Sequence, residues 1–360
     1  MKICIYILKI SNGGAERAAI SFANFAAKQG YEVDLLCSIK DDSIIDIDKN
    51  VNFIKLKDVN RKNIFTRILS NYQRKRELDK YFNQAKPDVL FYMVYPFILN
   101  TVKFPKNMTV VGSDRGNPAE YTDEKYVRRR KKLLSKTDGL ICQTKRACDF
   151  FNDLNMPKFI IPNGIYNDNV YKVERIKEKE NSICAVGRFV YEKDYPTLLN
   201  AFKLVNVKHP NIDLKIYGTG ELKEQILDQI SNLGLSNNVK LMGVVKNIPQ
   251  EIAKSKCFVM SSISEGMPNA LIEAMAVGLP CVSTDCPNGP AELIQNDVSG
   301  LLVPIKDPNL LSEAICKMLE DQKFADMCGE NALKIRETND AEKINKLYLS
   351  SLLSVVKNKK

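Results

Sequence analysis

The chain has 360 residues, 44% hydrophobic and 27% charged, with a formal net charge of +10. That is long enough for two domains, each with its own core, and the balance is that of a soluble globular chain. Apolar runs stay well short of the roughly 18 residues a membrane-spanning helix needs. The ten cysteines form no C-x2-C pair or regular spacing, which argues against a disulfide scaffold, and the one histidine, His209, argues against a His-based metal centre. Met1 to Leu8 reads as a strand and not a signal peptide, so a cytoplasmic protein is expected. The charge is uneven: residues 1–165 hold 29 Lys and Arg against 18 Asp and Glu, a net of +11, and the remainder 24 against 25. The first half should therefore meet an anionic partner.

Lys2 to Leu8 is the first predicted strand, and Ser11-Asn12-Gly13-Gly14-Ala15-Glu16-Arg17 a glycine turn opening a helix to about Gln29. That order suggests a phosphate-facing site of Rossmann type. The spacing is not G-x-G-x-x-G and no G-K-[ST] follows, so neither a dinucleotide nor a Walker site is expected. Strands at Glu32 to Ser38 and Val51 to Leu56 flank Asp46-Ile47-Asp48, an acidic loop to which no metal is assigned. A basic helical stretch, Arg61 to Ala85, is followed by strands at Val89 to Val94 and Met108 to Gly112. Ser113-Asp114-Arg115-Gly116-Asn117-Pro118 is then a polar loop at a strand's carboxyl end, the usual binding edge of α/β sheets. Arg128-Arg129-Arg130-Lys131-Lys132 reads either as a solvated helix face or as a dock for an anionic membrane surface. Without aromatic-basic interleaving, nucleic acid is not expected. Strands at Gly139 to Gln143 and Lys158 to Ile161 close a first domain, 1–165, and the charged, aperiodic residues 166–181 read as a linker.

The second domain, 182–340, opens with a strand, Ser182 to Gly187, leading to Arg188 and Lys193. Two cations at a strand's carboxyl end suit a diphosphate, Arg as a fork and Lys as a point charge. A helix at Thr197 to Lys208 and a strand at Asp213 to Tyr217 precede Gly218-Thr219-Gly220-Glu221; a strand at Val239 to Gly243 precedes the turn Val244 to Asn247. The strand Cys257 to Met260 runs into the densest segment, Ser264 to Pro280. Gly266 permits a sharp turn, Pro268 suits the first helical position, and Gly278 with Pro280 stops the helix. The first turn, Pro268 to Leu271, offers backbone N–H groups and a positive dipole end, an anion site. Glu265 and Glu273 flank it with seven residues between them, and Glu273, among Ile272, Ala274, Met275 and Ala276, needs donors such as a sugar's paired hydroxyls. After a strand at Cys281 to Thr284, Asp285-Cys286-Pro287-Asn288-Gly289-Pro290 makes a rigid turn. Helices follow at Leu310 to Glu320 and Ala341 to Val356, and the terminal one, 341–360, can cross back to the first domain.

The E-x7-E segment, with G-M-P-N inside it, resembles the signature of the family-4 retaining glycosyltransferases of GT-B architecture. The resemblance implies an α/β fold of two Rossmann-like domains facing across a cleft. It implies a catalytic Glu265 beside the transferred sugar, a ribose-binding Glu273, and sugar and diphosphate contacts from Gly266, Met267, Pro268, Asn269, Ala270 and Leu271. Arg188 and Lys193 match the family's G-R-x4-K and would neutralise the leaving diphosphate. G-G-A-E-R is similar to the opening loop, which implies donor contacts at Gly13 and Gly14 and an acceptor or sugar contact at Glu16. Gly218 is a further implied donor contact, as is Val244, in a turn that resembles the base-binding loop. Many relatives carry a histidine near the Ser113 to Pro118 loop; this chain has none, and Asp114, Arg115 or Asn117 is expected to substitute.

The D-C-P-N-G-P run is similar to members that build bacterial capsule, exopolysaccharide and O-antigen repeats. The expectation is an enzyme at the inner face of the cytoplasmic membrane, peripheral on anionic lipid through Arg128 to Lys132. It would move a hexose or N-acetylhexosamine from a UDP-sugar to a lipid-diphosphate-linked glycan with retention, without cofactor or metal. Two rivals share the architecture: a nucleotide-sugar epimerase, and a non-catalytic sugar-nucleotide or membrane binder. Turnover of a UDP-sugar would separate enzyme from binder.

Overall fold

The computed structural model describes residues 1–360 apart from 11–12, 41–45, 58–63, 94–101, 119–122, 175, 177 and 360. The start of the first glycine turn therefore lies outside the described residues. The chain divides into two compact units, Met1–Tyr166 with Ala341–Lys360, and Asn167–Asp340.

The first unit runs β1 (Lys2–Ile10), α1 (Gly14–Lys28), β2 (Glu32–Lys40), β3 (Val51–Lys55), α2 (Ile64–Ala85), β4 (Val89–Tyr92), β5 (Thr109–Asp114), α3 (Glu124–Leu134), β6 (Gly139–Cys142), α4 (Lys145–Phe150) and β7 (Lys158–Ile160). Its strands form one parallel sheet in the order β3-β2-β1-β4-β5-β6-β7. β4, β5 and β6 are buried throughout, as apolar runs in a sheet covered on both faces must be.

The second unit runs β8 (Ser182–Val186), α5 (Tyr195–Lys208), β9 (Asp213–Tyr217), α6 (Lys223–Asn232), β10 (Val239–Gly243), α7 (Ile248–Ile252), β11 (Cys257–Met260), α8 (Asn269–Ala276), β12 (Cys281–Thr284), α9 (Pro290–Leu293), β13 (Leu301–Val303), α10 (Pro308–Glu320), α11 (Gln322–Ala332) and α12 (Ile335–Thr338). Its parallel sheet has the order β10-β9-β8-β11-β12-β13. Strand order thus reverses between β1 and β4 in one unit and between β8 and β11 in the other. Such switch points open crevices at the strands' carboxyl ends, where α/β folds bind ligands.

The terminal helix, α13 (Ala341–Lys359), is part of the first core. Ile344, Tyr348, Leu352 and Val355 are buried in it, and the Tyr348 ring lies 5.6 Å from both Phe22 and Phe91. The segment read as a linker is not one throughout. Asp168–Lys172 forms a 3-10 turn belonging to the second unit. Its buried Val170 supplies a carbonyl to Arg336 Nη2 at 3.2 Å, and Arg336 Nε caps the end of α8 at the Ala276 carbonyl, 2.6 Å away. The burial of Val170 and the contacts of Arg336 hold that segment down, and periodicity shows neither.

Candidate active site

The switch point of the second unit gathers the strongest candidates. Arg188 stands exposed beyond β8, on a loop held by what surrounds it. Phe189 is buried and stacks edge-on against Tyr195 at 5.2 Å, while Tyr195 Oη donates to the Gly187 carbonyl at 3.1 Å. Gly218 lies so close that a Cβ there would sit 1.9 Å from the Gly187 carbonyl oxygen, at a φ of +140°. Its lack of a side chain is thus a requirement of close loop packing. Next, a 3-10 turn at Tyr191–Lys193 ends on Asp194, which adopts a left-handed conformation and accepts from Thr197 Oγ1 at 2.7 Å, starting α5. These constraints set the direction of Lys193.

Lys193 Nζ forms an ion pair with Glu265 Oε1, bridging the loop after β8 to the loop after β11. Ser262 Oγ donates to the same carboxylate oxygen at 2.8 Å, and Ser261 Oγ to the Lys193 carbonyl at 2.8 Å. Thr284 Oγ1, at the end of β12, donates to the Ser262 carbonyl at 2.6 Å. Two serines and a threonine therefore hold both partners of the ion pair in place. Sequence reading missed all three, although the S-S before Glu265 was there to be noticed. It missed Cys286 as well, whose thiol is pushed up to about 12 by burial and next by the nearby Glu265 carboxylate.

The helix after Glu265 starts one residue later than expected. Pro268 is extended (φ −77°, ψ 105°) and caps α8 instead of occupying its first turn. The first bond inside the helix runs from Ile272 N–H to the Pro268 carbonyl, 3.1 Å. The N–H groups of Asn269, Ala270 and Leu271 thus precede that first bond and lie at the positive end of α8. The Gly266 to Pro268 turn is buttressed by the turn after β12. Gly289 (φ +87°) packs so tightly that a Cβ would lie 2.6 Å from Pro268 Cδ. Met267 is buried, Gly266 partly so, and Glu273 is buried inside α8 between Ile272 and Ala274. At the end of β10, Val244 is 75% exposed, an apolar surface on the same edge of the sheet.

In the first unit, Gly13 caps α1 in extended conformation at the β1–β4 switch point, and the Glu16 carboxylate folds back over it. That is the geometry of an acidic residue serving a helix N-terminus. Asp46 and Asp48 form a turn: Asp48 Oδ1 accepts from Asn50 N–H at 2.9 Å, and Asn24 Nδ2 donates to the Asp46 carbonyl.

Two readings of the first unit are corrected. Asp114 and Arg115 do not present their charged groups as sugar contacts. Asp114 is buried and takes both Nε (3.1 Å) and Nη2 of Arg130, also buried. Arg115 donates from Nη1 to Tyr348 Oη at 2.8 Å and from Nη2 to Asn163 Oδ1, tying its loop to α13. Asn117 is likewise buried. The basic run is also not one exposed face. Arg130 faces inward, and Lys131 pairs with Asp153 at 2.8 Å while its Nζ lies over the Phe150 ring. A buried carboxylate requires a paired cation, and Arg130 is the member of the run that helical phase turns toward Asp114. Arg128, Arg129 and Lys132 remain exposed.

Two doubly wound parallel halves, with a cation–carboxylate pair and a helix N-terminus at one switch point, define a glycosyltransferase of GT-B type. The chain belongs to the family-4 glycosyltransferases: residues 12–168 match the family described as Glycosyltransferase Family 4, and residues 167–335 that described as Glycosyl transferases group 1. Its relatives include a Campylobacter jejuni protein, 24% identical over 99% of both chains, named GalNAc-alpha-(1->4)-GalNAc-alpha-(1->3)-diNAcBac-PP-undecaprenol alpha-1,4-N-acetyl-D-galactosaminyltransferase. Another is the amylovoran biosynthesis glycosyltransferase AmsD of Erwinia amylovora, 32% identical over 43% of this chain and 44% of that one. Among solved structures, Anabaena Alr3699/HepE in complex with UDP-glucose superposes with a TM-score of 0.79, covering 98% of this chain and all of that one at 18% identity, a likeness of fold.

Proposed function

We propose that this enzyme transfers a hexose or N-acetylhexosamine from a UDP-sugar, with retention of configuration, to a lipid-diphosphate-linked glycan in surface polysaccharide synthesis. The observation that carries the reading is the Lys193–Glu265 pair beside the start of α8, with Arg188 exposed on the same edge. A departing nucleoside diphosphate develops negative charge. Preorganised Arg188, Lys193 and the backbone N–H groups of Asn269 to Leu271 would stabilise it without reorganising. Glu265 would then face the sugar, Glu273 the ribose, and Val244 the base. A phosphate oxygen of the leaving group would take the acceptor's proton. The Campylobacter relative, named for transfer to a PP-undecaprenol-linked glycan, supports the acceptor class, and the Erwinia relative, named for amylovoran biosynthesis, supports a biosynthetic role.

Such an acceptor would bring the enzyme to an anionic membrane surface. Among the described residues no helix is long and apolar enough to cross a membrane. The exposed side of α2 supports surface docking better than the basic run does. Ile68 (64% exposed), Leu69 and Tyr72 (64%) stand in solvent, and Ile68, Tyr72, Arg76 and Lys80 follow one helical ridge. A thermal-shift panel of nucleotide-sugars tests the donor class, because binding to the folded state alone raises Tm. Stabilisation by UDP-sugars over GDP- and ADP-sugars is expected; the reverse preference would overturn the UDP assignment.

A further inference from the structure

His209, the chain's one histidine, lies where the C-terminal ends of two helices meet. It caps α5, donating its backbone N–H to Val205 at 2.8 Å, and its Nε2 lies 2.9 Å from Oε1 of Glu320, the last residue of α10. One turn back on α10 is the buried Cys316. The ring nitrogen, the sulfur and a Glu320 oxygen all lie within 4.8 Å of one another. α5 and α10 pack directly together, so the three donors come from two mutually fixed helices.

We propose that His209, Cys316 and Glu320 form a site for one borderline divalent ion of the zinc class, clipping the end of α5 to the end of α10. Imidazole, thiolate and carboxylate are zinc's donor types. Tetrahedral bonds of about 2.0–2.3 Å place ligand atoms roughly 3.3–3.6 Å apart, which side-chain rotation reaches from the observed spacing. Both helices also direct their partial negative ends at this point, which favours a cation. Cys316 and Glu320 line an open recess of about 610 Å³, leaving room for water as a fourth ligand. Lys208 opposes a cation there, whereas Glu313 and Glu320 favour one. Lys317 is drawn aside, its Nζ 3.0 Å from Asp297 and over the Phe324 ring. The competing use of these residues is a plain His209–Glu320 hydrogen bond, and only a metal needs the sulfur.

The place in the fold assigns the ion a structural role. α5 starts near the carboxyl end of β8 and ends just before β9, so the clip sits at the opposite edge of the sheet from Arg188, Lys193 and Glu265. Occupancy should stabilise the second unit without entering the transfer.

The test uses the full chain, stripped with chelator and titrated with Co2+. One equivalent should bind with a thiolate-to-cobalt charge-transfer absorption that Cys316→Ser abolishes. His209→Gln should weaken binding by at least the roughly tenfold that loss of even an outer-shell partner brings. Zn2+ should displace the cobalt and raise Tm in the wild type but not in Cys316→Ser, while transferase activity of that variant persists. Should Cys316→Ser fail to fold, His209→Gln, altered at a partly exposed helix end, carries the test. Absence of the thiolate band in the wild type, its persistence in Cys316→Ser, or equal zinc-induced shifts in both would overturn the site.

Discussion

Lys193 and Glu265, 72 residues apart, form an ion pair across the switch point of the second sheet, and Ser262 Oγ donates to the same carboxylate oxygen. Each partner comes from a loop that follows a central strand, so the pair exists only because β8 and β11 are neighbours. Glu265 is thereby held in one orientation. That suits a carboxylate fixed beside a reacting sugar more than one that swings to shuttle protons.

Arg188 is exposed and makes no contribution to the core, so Arg188→Ala should leave Tm within about 1–2 °C of wild type. As a preorganised donor to the leaving diphosphate, its loss should cost on the order of 2–4 kcal/mol of transition-state stabilisation. Steady-state kcat/KM with the preferred UDP-sugar checks it. A value within threefold of wild type would remove Arg188 from the site.

Glu273→Ala should weaken UDP itself as well as the UDP-sugar, because a ribose contact serves both. Glu265→Ala should spare UDP and damage transfer, and Ser262→Ala should do so more mildly by loosening Glu265. Calorimetry with UDP alongside turnover decides it; equal losses of UDP affinity at the two glutamates would mean the roles are wrongly divided.

Within the basic run, position should separate stability from docking. Arg130→Ala strands the buried Asp114 carboxylate and should destabilise by roughly 3–5 kcal/mol. Neutralising Arg128, Arg129 and Lys132 together should change stability little. Replacing Ile68 and Tyr72 with Ser should reduce sedimentation with anionic vesicles more than that triple change does, and added salt should weaken binding by screening. Binding indifferent to anionic lipid content would rule out the membrane reading.

Stability should fall in alkali. Burial raises the thiol pKa of nine cysteines, to about 12 at Cys184 and Cys286. A raised folded pKa stabilises the fold fully below the unfolded value of 9.0, and that contribution is lost progressively as pH rises above it. Urea midpoints at pH 7.5 and 10 should therefore differ, the second being lower; equal midpoints would show that the thiols ionise in the fold.

With an α-linked UDP-sugar the product should be α-linked, and transfer should proceed with chelator present. The anomeric proton signal of product made in chelator reads both. A β-linked product would overturn the retaining mechanism. Loss of activity on chelation would return Asp46 and Asp48 to consideration.

The sequence by itself determined the two wound halves and the segment at their centre. Buried parallel strands are short apolar runs, and a Gly-x-Pro turn flanked by two glutamates is a local pattern that needs no tertiary information to recognise. It determined Arg188, Lys193, Glu265 and Glu273 as candidates for the same reason. Which groups face one another was decided only by the tertiary structure. Asp114 and Arg130 are 16 residues apart and each reads as surface, yet one buried carboxylate demands one buried cation, and the fold brings the end of β5 and α3 close enough to make them partners. Val170 anchors a stretch that reads as linker, Arg115 turns to Tyr348 on a helix 233 residues later, and His209 meets Cys316 and Glu320. Periodicity reports which face of an element is apolar; it carries no information on which distant element that face will meet, because that is set by strand order and helix packing.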